Sequence, residues 1–318
     1  MIPNFKACLQ YGILLLFFTS GALPAFAQTE FDGIMMRKNN LCIGPMYSHS
    51  SWKNYWEGTL KRENLNLGTV TTQTIGVMGN YGISNKLNVL FGAPYVTTKA
   101  SAGTLHGQKG IQDGSLWLKW MPIERKLGKG DFSIYGIAGV SAPLTNYVAD
   151  YLPLAIGLRS KTLSLRAMGD YQLGKFFVTA SGTYVFRSNI KIDRDAYYTT
   201  EMHYTNEVVM PNVITWNVRT GYRQPNFIAE AFIENMITQG GFDITRNNMP
   251  FPSNMMNATR LGAWVKYELN VPQGLSIIAT GNYVVAGRNV GQSTTLGAGI
   301  FQILDFNKKK STSTSPKK

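Results

Sequence analysis

Serine and histidine are the side chains of this chain whose spacing comes nearest to covalent chemistry. His49 lies between Ser48 and Ser50. A histidine that takes the proton of a serine hydroxyl creates a nucleophile for acyl transfer. That chemistry also needs an acidic side chain to orient the imidazole, and no such partner is evident nearby. We therefore expect no enzyme, and a lipid hydrolase is kept only as a minor alternative.

Metal-binding and redox-active side chains are sparse. His106 and His203 are far from His49 and from each other, so the histidines share no metal-ligand spacing. Only Cys42 remains after removal of the predicted signal peptide, which leaves no pair for an internal disulfide. No nucleotide or organic cofactor motif is present, and we expect no cofactor and no metal.

Charged residues recur at alternate positions of otherwise apolar segments, which places them on one face of β-strands. Acids and bases are balanced in this set, which consists of Asp113, Lys119, Arg166, Asp170, Arg219, Glu230, Glu234, Arg260, Lys266 and Glu268. If these strands enclose a lumen, unpaired charges facing it would be costly. We therefore expect ion pairs and hydrogen bonds across that lumen. These residues either brace the wall or line a path for a polar solute. We favour bracing, because a balanced set creates no selective field.

The same face also carries large apolar side chains, which are unusual in a simple water-filled pore with a polar lining. They are Met78, Leu90, Trp117, Ile137, Met168, Phe177, Phe232, Trp264, Ile278 and Phe301. Such a face suits a narrow lumen that is partly plugged, or one that holds an amphipathic or aromatic ligand.

Period-2 alternation predicts the strands that must position these side chains. The predicted strands are 41–49, 67–81, 87–98, 111–121, 131–142, 161–172, 176–187, 213–223, 227–238, 257–269, 275–286 and 294–306. Most of them reach the roughly 9–11 residues that a tilted membrane-spanning strand needs.

The connectors between these strands alternate in length. Tight turns are predicted at 84–86, 173–175, 224–226 and 270–274, with a longer one at 122–130. Long polar connectors are predicted at 50–66, 99–110, 143–160, 188–212 and 239–256, with a shorter one at 287–293. Bacterial barrels have short periplasmic turns and longer external loops. The sequence therefore predicts an all-β protein, an antiparallel up-and-down transmembrane barrel of about 12 strands.

Aromatic residues of the outward parity cluster beside the tight turns. They are Tyr81, Trp120, Phe132, Tyr171, Phe176, Tyr222, Phe227, Tyr267 and Phe306. Tyr95, Tyr184, Phe186 and Tyr283 lie near the opposite strand ends. Two such bands are typical of the aromatic girdles at the two membrane interfaces.

The N-terminus has the features of a secretory signal peptide. Lys6 supplies positive charge, 12–19 form an apolar core, and Ala25-Phe26-Ala27 is an A-x-A cleavage site. The core is too short to span a bilayer as an anchor. We expect cleavage after Ala27 and location in the bacterial outer membrane.

The chain therefore divides into a signal peptide at 1–27, a segment at 28–40, a barrel at 41–306 and a tail at 307–318. The segment at 28–40 is either a plug in the lumen or a periplasmic stub. The basic tail contributes to a formal net charge of +13 and is predicted to be disordered. Lipid is an expected partner, and nucleic acid is not.

The last strand, Thr294 to Phe306, alternates apolar and small or polar residues and ends on an aromatic side chain. Bacterial outer-membrane barrels end in this way. We expect Phe306 to present this strand to the barrel-assembly machinery, although Asn307 to Lys318 follow it.

Two stretches of sequence resemble a known family. They are GNYGISNKLNVLFGAPYV (79–96) and GIQDGSLWLKWMPI (110–123). They are similar to segments of the outer-membrane transporters of the MetA pathway of phenol degradation, although Gly-Ile-Gln-Asp stands where that family has Gly-x-Gly-Asp. The resemblance covers predicted strands two to four and implies a transporter barrel for small hydrophobic or aromatic compounds.

The leading functional hypothesis is a passive channel for small, amphipathic or aromatic compounds, with the solute unidentified. The alternative is a structural or assembly barrel that docks envelope partners, because the predicted external loop 188–212 is rich in tyrosine, as binding surfaces often are.

Overall fold

Twelve long strands form the molecule in the computed structural model, which describes residues 29–245 and 250–307. The strands are β1 (Asn40–Trp52), β2 (Val70–Ser84), β3 (Leu87–Ala100), β4 (Asp113–Leu127), β5 (Gly130–Pro143), β6 (Thr162–Leu173), β7 (Phe176–Arg187), β8 (Asn212–Arg223), β9 (Phe227–Gln239), β10 (Asn257–Glu268), β11 (Leu275–Arg288) and β12 (Thr294–Asp305). The predicted signal peptide and residues 308–318 of the predicted tail lie outside the described residues.

Each strand pairs antiparallel with the next along the chain, and β1 closes the sheet by pairing with β12. The closing register joins Leu41 to Leu304 and Ser51 to Thr294. Closure satisfies the backbone groups that an open sheet would leave at its edges. The predicted all-β antiparallel barrel is therefore confirmed, with twelve strands. No helix long and apolar enough to cross a membrane is present in the described ranges.

The two faces of the sheet differ in burial as the alternation predicts. On the outer face Ile75, Leu116, Leu165 and Ile277 are exposed on the isolated chain, whereas alternate residues are buried. The aromatic side chains beside the tight turns lie on the outer face, with Phe176 68% and Trp120 53% exposed. An exposed apolar band between aromatic rings is the surface that a bilayer covers.

The turn predicted at 122–130 is wrong. β4 continues to Leu127, and only Gly128 and Lys129 connect it to β5. Pro122 lies where the register with β5 shifts between Trp120 and Ile123, in a β-bulge. A bulge accommodates a proline because one residue is left out of the hydrogen-bond ladder.

The second strand also begins three residues later than predicted. Residues 64–69 form a turn in which the Leu67 N–H donates to Asn64 Oδ1 at 3.2 Å. Leu67 then packs with Val70 and Leu154, so its apolar side chain belongs to a loop contact rather than to the barrel wall.

The long connectors pack against one another at the end of the barrel opposite the tight turns. A buried cluster joins Ala149 with Ile190, Ile192, Tyr197, Val208, Met210 and Phe251. The loops carry short strand pairs of their own, Asn54–Glu57 with Leu60–Glu63, Ile190–Lys191 with Glu207–Val208, and Tyr197–Tyr198 with Met202–His203, while Lys109–Ile111 pairs with β3. These loops therefore form an ordered cover with its own apolar core.

Candidate functional site: the lumen and its N-terminal segment

The segment Thr29–Asn39 enters the barrel from the end that carries the tight turns, and we call it the N-terminal segment. The Asn39 N–H donates to Gly82 O at 2.8 Å, and the Lys38 N–H donates to Asn85 Oδ1 at 3.0 Å. A Cβ at position 82 would collide with the Arg37 carbonyl group, so glycine permits this close approach. Met36 is 1% exposed and packs with the lumen residues Cys42, Ile278 and Phe301.

Lys119 binds the N-terminal segment from the wall. Its ammonium group lies 2.6 Å from Asp32 O, 2.9 Å from Ile34 O, 3.0 Å from Thr29 O and 3.0 Å from Asp32 Oδ1. The Lys119 side chain is fully buried. A buried ammonium needs such acceptors because burial removes its water. The segment thus supplies every acceptor that Lys119 contacts among the described residues.

Two further wall residues bind carbonyl groups of the segment. The Tyr135 hydroxyl donates to Gly33 O at 2.7 Å, and Arg166 Nη1 donates to Glu30 O at 2.7 Å. Gly33 also lies directly against the Asp170 carboxyl group, where a Cβ would collide. The segment is therefore fitted to the wall and fills the lumen at the turn end of the barrel.

Phe31 of the segment lies between two guanidinium groups. The Cζ atom of Arg166 is 4.0 Å and that of Arg219 5.1 Å from the Phe31 ring centroid. Each guanidinium also contacts a second ring, with Arg166 Cζ 5.2 Å from the Trp117 ring centroid and Arg219 Cζ 4.6 Å from the Phe232 ring centroid. Aromatic rings and guanidinium groups therefore alternate through five members, which we call the lumen stack. Each contact lies within the range of a cation–π interaction.

A chamber of about 280 Å³ adjoins the lumen stack. Residues 29–32 of the segment contribute to its lining. Its apolar wall is formed mainly by Cys42, Met46, Met78, Leu90, Phe91, Trp117, Phe232, Trp264, Ile278 and Phe301. Arg219 and Glu230 supply charge at one side. Apolar walls with a few converging polar groups are the usual composition of a small-molecule site.

The ion pairs of the wall do not run across the lumen as expected. Glu234 pairs with Arg260 at 2.6 Å on the adjacent strand, and Arg219 pairs with Glu230 on the adjacent strand. Lys266 pairs with Glu268 at 3.4 Å on the same strand. Asp170 on β6 pairs with Arg223 on β8, past the intervening strand β7. The contacts that do bridge the interior are those to the N-terminal segment.

The remaining predicted lumen residues lie at different depths along the barrel axis. Asp170 forms two hydrogen bonds with Arg223, at 3.1 and 3.2 Å, and Phe177 stacks on the same guanidinium at 3.9 Å. Asp113 lies at the opposite end and accepts a hydrogen bond from the Tyr147 hydroxyl at 2.5 Å. Trp264 lines the chamber. The structure thus brings Trp117, Arg166, Arg219, Glu230 and Phe232 together with the segment and leaves Asp113, Glu234 and Arg260 away from it.

The loops beside the outer mouth are held by two polar contacts with clear electrostatic effects. Burial, followed by the hydrogen bond to Asp113, raises the pKa of the Tyr147 hydroxyl. The hydrogen bonds from Arg288 hold the pKa of the Asp243 carboxyl below its usual range. Asp243 accepts from Arg288 Nε at 2.7 Å and Nη2 at 2.6 Å, which ties residues 240–245 of its loop to the end of β11.

The serine–histidine alternative finds no support in the geometry. His49 lies within β1, where adjacent side chains point to opposite faces. Ser50 lies on the lumen side, 3.0 Å from Thr295 Oγ1, and His49 lies on the other side. His49 therefore cannot reach the hydroxyl of Ser48 or Ser50. Within the described ranges no group of three His, Cys, Asp or Glu side chains forms a metal-binding arrangement.

Sequence reasoning missed several members of this site. Arg223 and Tyr135 share the inward parity of β8 and β5, and that parity could have identified them. Phe31 and Asp32 lie in the stretch 28–40 that was considered as a plug. No local pattern could show which wall residues they meet, because that depends on the path of the segment inside a closed barrel.

The closed antiparallel sheet, its apolar outer face and its occupied lumen define the fold of an outer-membrane β-barrel. No family model matches the sequence, and no curated protein matches it. Among solved structures, it is similar to an outer membrane channel from Pseudomonas putida F1, with a TM-score of 0.68, 13% sequence identity, and coverage of 88% of this chain and 100% of that chain. At this identity the likeness shows the fold.

Two other solved structures align with lower scores. A mutant of the TodX monoaromatic hydrocarbon channel gives a TM-score of 0.44 and 7% identity over 85% of this chain and 91% of that one. The translocator domain of autotransporter NalP from Neisseria meningitidis gives a TM-score of 0.43 and 11% identity over 84% and 88%.

Proposed function

We propose that this protein is a passive outer-membrane channel for small amphipathic or aromatic compounds, and that its N-terminal segment closes the lumen. The chain is exported, its signal peptide is cleaved after Ala27, and the barrel lies in the bacterial outer membrane. The tight turns face the periplasm and the long loops face the exterior. It has no enzymatic activity.

The observation that carries this proposal is the chamber of about 280 Å³ inside the barrel. An apolar cavity of about 150 Å³ is known to hold benzene. The chamber therefore has room for one substituted aromatic ring. Its mostly apolar walls disfavour strongly hydrated solutes, which would lose their water on entry. Its composition is that of a ligand site rather than of a water-filled pore.

The sequence resemblance to transporters of the MetA pathway of phenol degradation agrees with this solute class. Its two stretches lie mainly on β2, β3 and β4 and include Leu90 and Trp117 of the chamber wall. The similarity to the outer membrane channel from Pseudomonas putida F1 supports the channel barrel and bears on no particular solute.

The proposal is tested by loosening the N-terminal segment. In Asp32→Ala the ammonium of Lys119 loses its one carboxylate partner among the described residues. Removing one partner of a buried pair costs about 3–5 kcal/mol. The segment should therefore leave the lumen more often, and channel conductance in planar bilayers should rise by at least about tenfold. Liposomes should swell faster with small solutes.

Glu30→Ala is the matched control. Glu30 is an acid of the same segment, but among the described residues its carboxylate takes part in no hydrogen bond or ion pair, since only its backbone carbonyl contacts Arg166. Because that carboxylate attracts Lys119 and Arg166 only at longer range, conductance should rise much less in Glu30→Ala than in Asp32→Ala. Equal conductance of the wild type and Asp32→Ala would contradict the closing role of the segment. If neither passes any solute, the channel function itself is wrong.

A docking role is the second candidate, because the external hairpin at 197–203 and the adjoining loop expose Tyr198, Met202 and Tyr204, the last by 87%. Recovery of a stoichiometric envelope partner, lost on Tyr204→Ala, would favour it. A monomer that conducts without a partner would count against it.

A further inference from the structure

The lumen stack contains one member that does not belong to the wall. Trp117, Arg166, Arg219 and Phe232 lie on β4, β6, β8 and β9, whereas Phe31 comes from the N-terminal segment. Phe31 also lines the chamber. The place between the two guanidinium groups, which we call the ring seat, is therefore built by wall residues, and only its occupant comes from the N-terminal segment.

The two arginines of the ring seat have unused binding capacity. Arg166 donates to Thr183 Oγ1 at 2.7 Å and to the Glu30 carbonyl, and no carboxylate of the described residues lies within 4.0 Å of it. Arg219 pairs with Glu230, yet its buried Nε has no hydrogen-bond partner among the described residues. A buried donor without an acceptor is unfavourable, and an anionic or polar ligand atom would relieve it.

The charge balance of the seat depends on the N-terminal segment itself. Lys119 has Asp32 as its ion-pair partner, and Asp32 lies on the segment, as does Glu30. If the segment withdraws, both carboxylates leave with it. Lys119 and Arg166 then remain as cations with no carboxylate of the described wall within 4.0 Å. The wall carboxylates Glu230 and Glu234 stay behind, paired with Arg219 and Arg260, and leave Lys119 and Arg166 in excess. An empty seat is thus aromatic and carries net positive charge.

The segment itself shows what chemistry satisfies this seat. Residues 30–32 are Glu-Phe-Asp, a benzene ring flanked by two carboxylates. We propose that the ring seat is a binding site for aromatic carboxylates, and that Phe31 with its neighbouring acids is an internal competitor for it. The ligand ring lies between Arg166 and Arg219, and its carboxylate neutralises the cations that the segment leaves. This inference rests on the proposed function and names its solute class.

Because Phe31 and an aromatic acid exclude each other, removing the Phe31 ring must strengthen ligand binding. The smaller the fraction of molecules in which the seat is free, the weaker is the apparent affinity for the ligand. Two cation–π contacts hold Phe31 in place. Phe31→Ala should therefore bind benzoate about tenfold more tightly than the wild type, measured by calorimetry on the full mature chain in detergent.

Three comparisons isolate the contribution of the aromatic ring. Cyclohexanecarboxylate has the charge of benzoate without an aromatic face, and its affinity should rise much less in Phe31→Ala. Phe301→Ala removes a different phenylalanine of the chamber wall, away from both arginines, and should not strengthen benzoate binding. Arg166→Lys in the Phe31→Ala background keeps the charge, removes the planar face, and should lose the gain.

A measurement on the unmodified protein makes the test independent of whether the variants fold. Benzoate should increase amide hydrogen exchange in residues 29–36 of the wild type, because ligand and segment compete. The proposal is overturned if benzoate leaves that exchange unchanged, if Phe31→Ala does not bind benzoate more tightly, or if cyclohexanecarboxylate gains as much. Binding without any permeation through liposomes would instead refute the channel function and leave the ring seat intact.

Discussion

Buried charge pairs in the lumen differ in what each contributes to stability. The Asp170–Arg223 pair is 6% and 7% exposed, and its carboxylate also accepts from Thr179. The Glu234–Arg260 pair is 19% and 33% exposed. Water screens the second pair and not the first, so the two pairs provide a matched comparison.

We expect Arg223→Met to destabilise the barrel by about 3–5 kcal/mol, because it leaves the Asp170 carboxylate buried without a cation. Arg260→Met should cost less than about 1 kcal/mol. Tryptophan fluorescence during denaturant unfolding measures both. Equal losses in the two variants would show that burial does not decide the strength of these pairs.

At the scale of elements, β12 has two neighbours that are far apart in the chain. It pairs with β11 and closes the barrel on β1. Immediately after it, the Phe306 N–H donates to Asn39 O at 2.9 Å, and the Phe306 ring is 56% exposed on the outer face. The end of this strand is thus held in place while its aromatic side chain stays accessible.

Phe306→Ala should lower the fraction of assembled barrel in cells, because we propose that this ring presents the last strand to the assembly machinery. Leu304→Ala is the matched control, since Leu304 is also an exposed apolar residue of the same face. Removal of 308–318 should leave assembly intact. Heat-modifiable gel mobility reports the assembled fraction, and the reverse pattern would refute an internal assembly signal.

The loop at 240–256 is tied to β11 by a contact that depends on pH. Asp243 binds Arg288 and also accepts from Asn289 Nδ2 at 2.7 Å. These bonds hold the pKa of the Asp243 carboxyl below its ordinary value of 3.8. Because the pKa is lower in the folded chain, the contact is complete above pH 3.8. It is lost as the pH falls through the folded-state pKa, which lies below 3.8.

Amide exchange in loop 240–256, corrected for intrinsic rates, should therefore be constant from about pH 7 to 5 and rise only below about pH 4. Asp243→Asn should show the faster exchange already at pH 7. Asp193→Asn removes an exposed acid of another loop and should change nothing. Loosening of the wild-type loop near pH 6 would contradict this account.

For the whole molecule, the outer face must be covered by lipid, and this sets a depth-dependent cost for charge. Val218 lies in the middle of β8 and Leu173 at the turn end of β6, and they are 37% and 49% exposed on the isolated chain. Val218→Lys should destabilise the barrel in bilayers by about 2–4 kcal/mol, and Leu173→Lys by about 0–1 kcal/mol. Unfolding titrations in vesicles measure both. Similar costs at the two depths would refute the membrane orientation.

The sequence by itself determined the strands, their two faces and the alternation of short and long connectors. These properties are local, because side chains alternate every two residues and turns have their own residue preferences. For the same reason the inward parity identified Trp117, Arg166, Arg219 and Phe232 without showing that they meet. Pro122 misled the prediction, because a bulge and a turn look alike in sequence.

Only the tertiary structure decided how the lumen is filled. Lys119 and Asp32 are 87 residues apart, and Phe31 is far in sequence from both arginines that hold it. Their contacts depend on the closing register of β1 with β12 and on the path of the N-terminal segment past Gly82. Such contacts follow from the closure of the whole sheet. Closure leaves no repeating pattern in the sequence from which these contacts could be predicted.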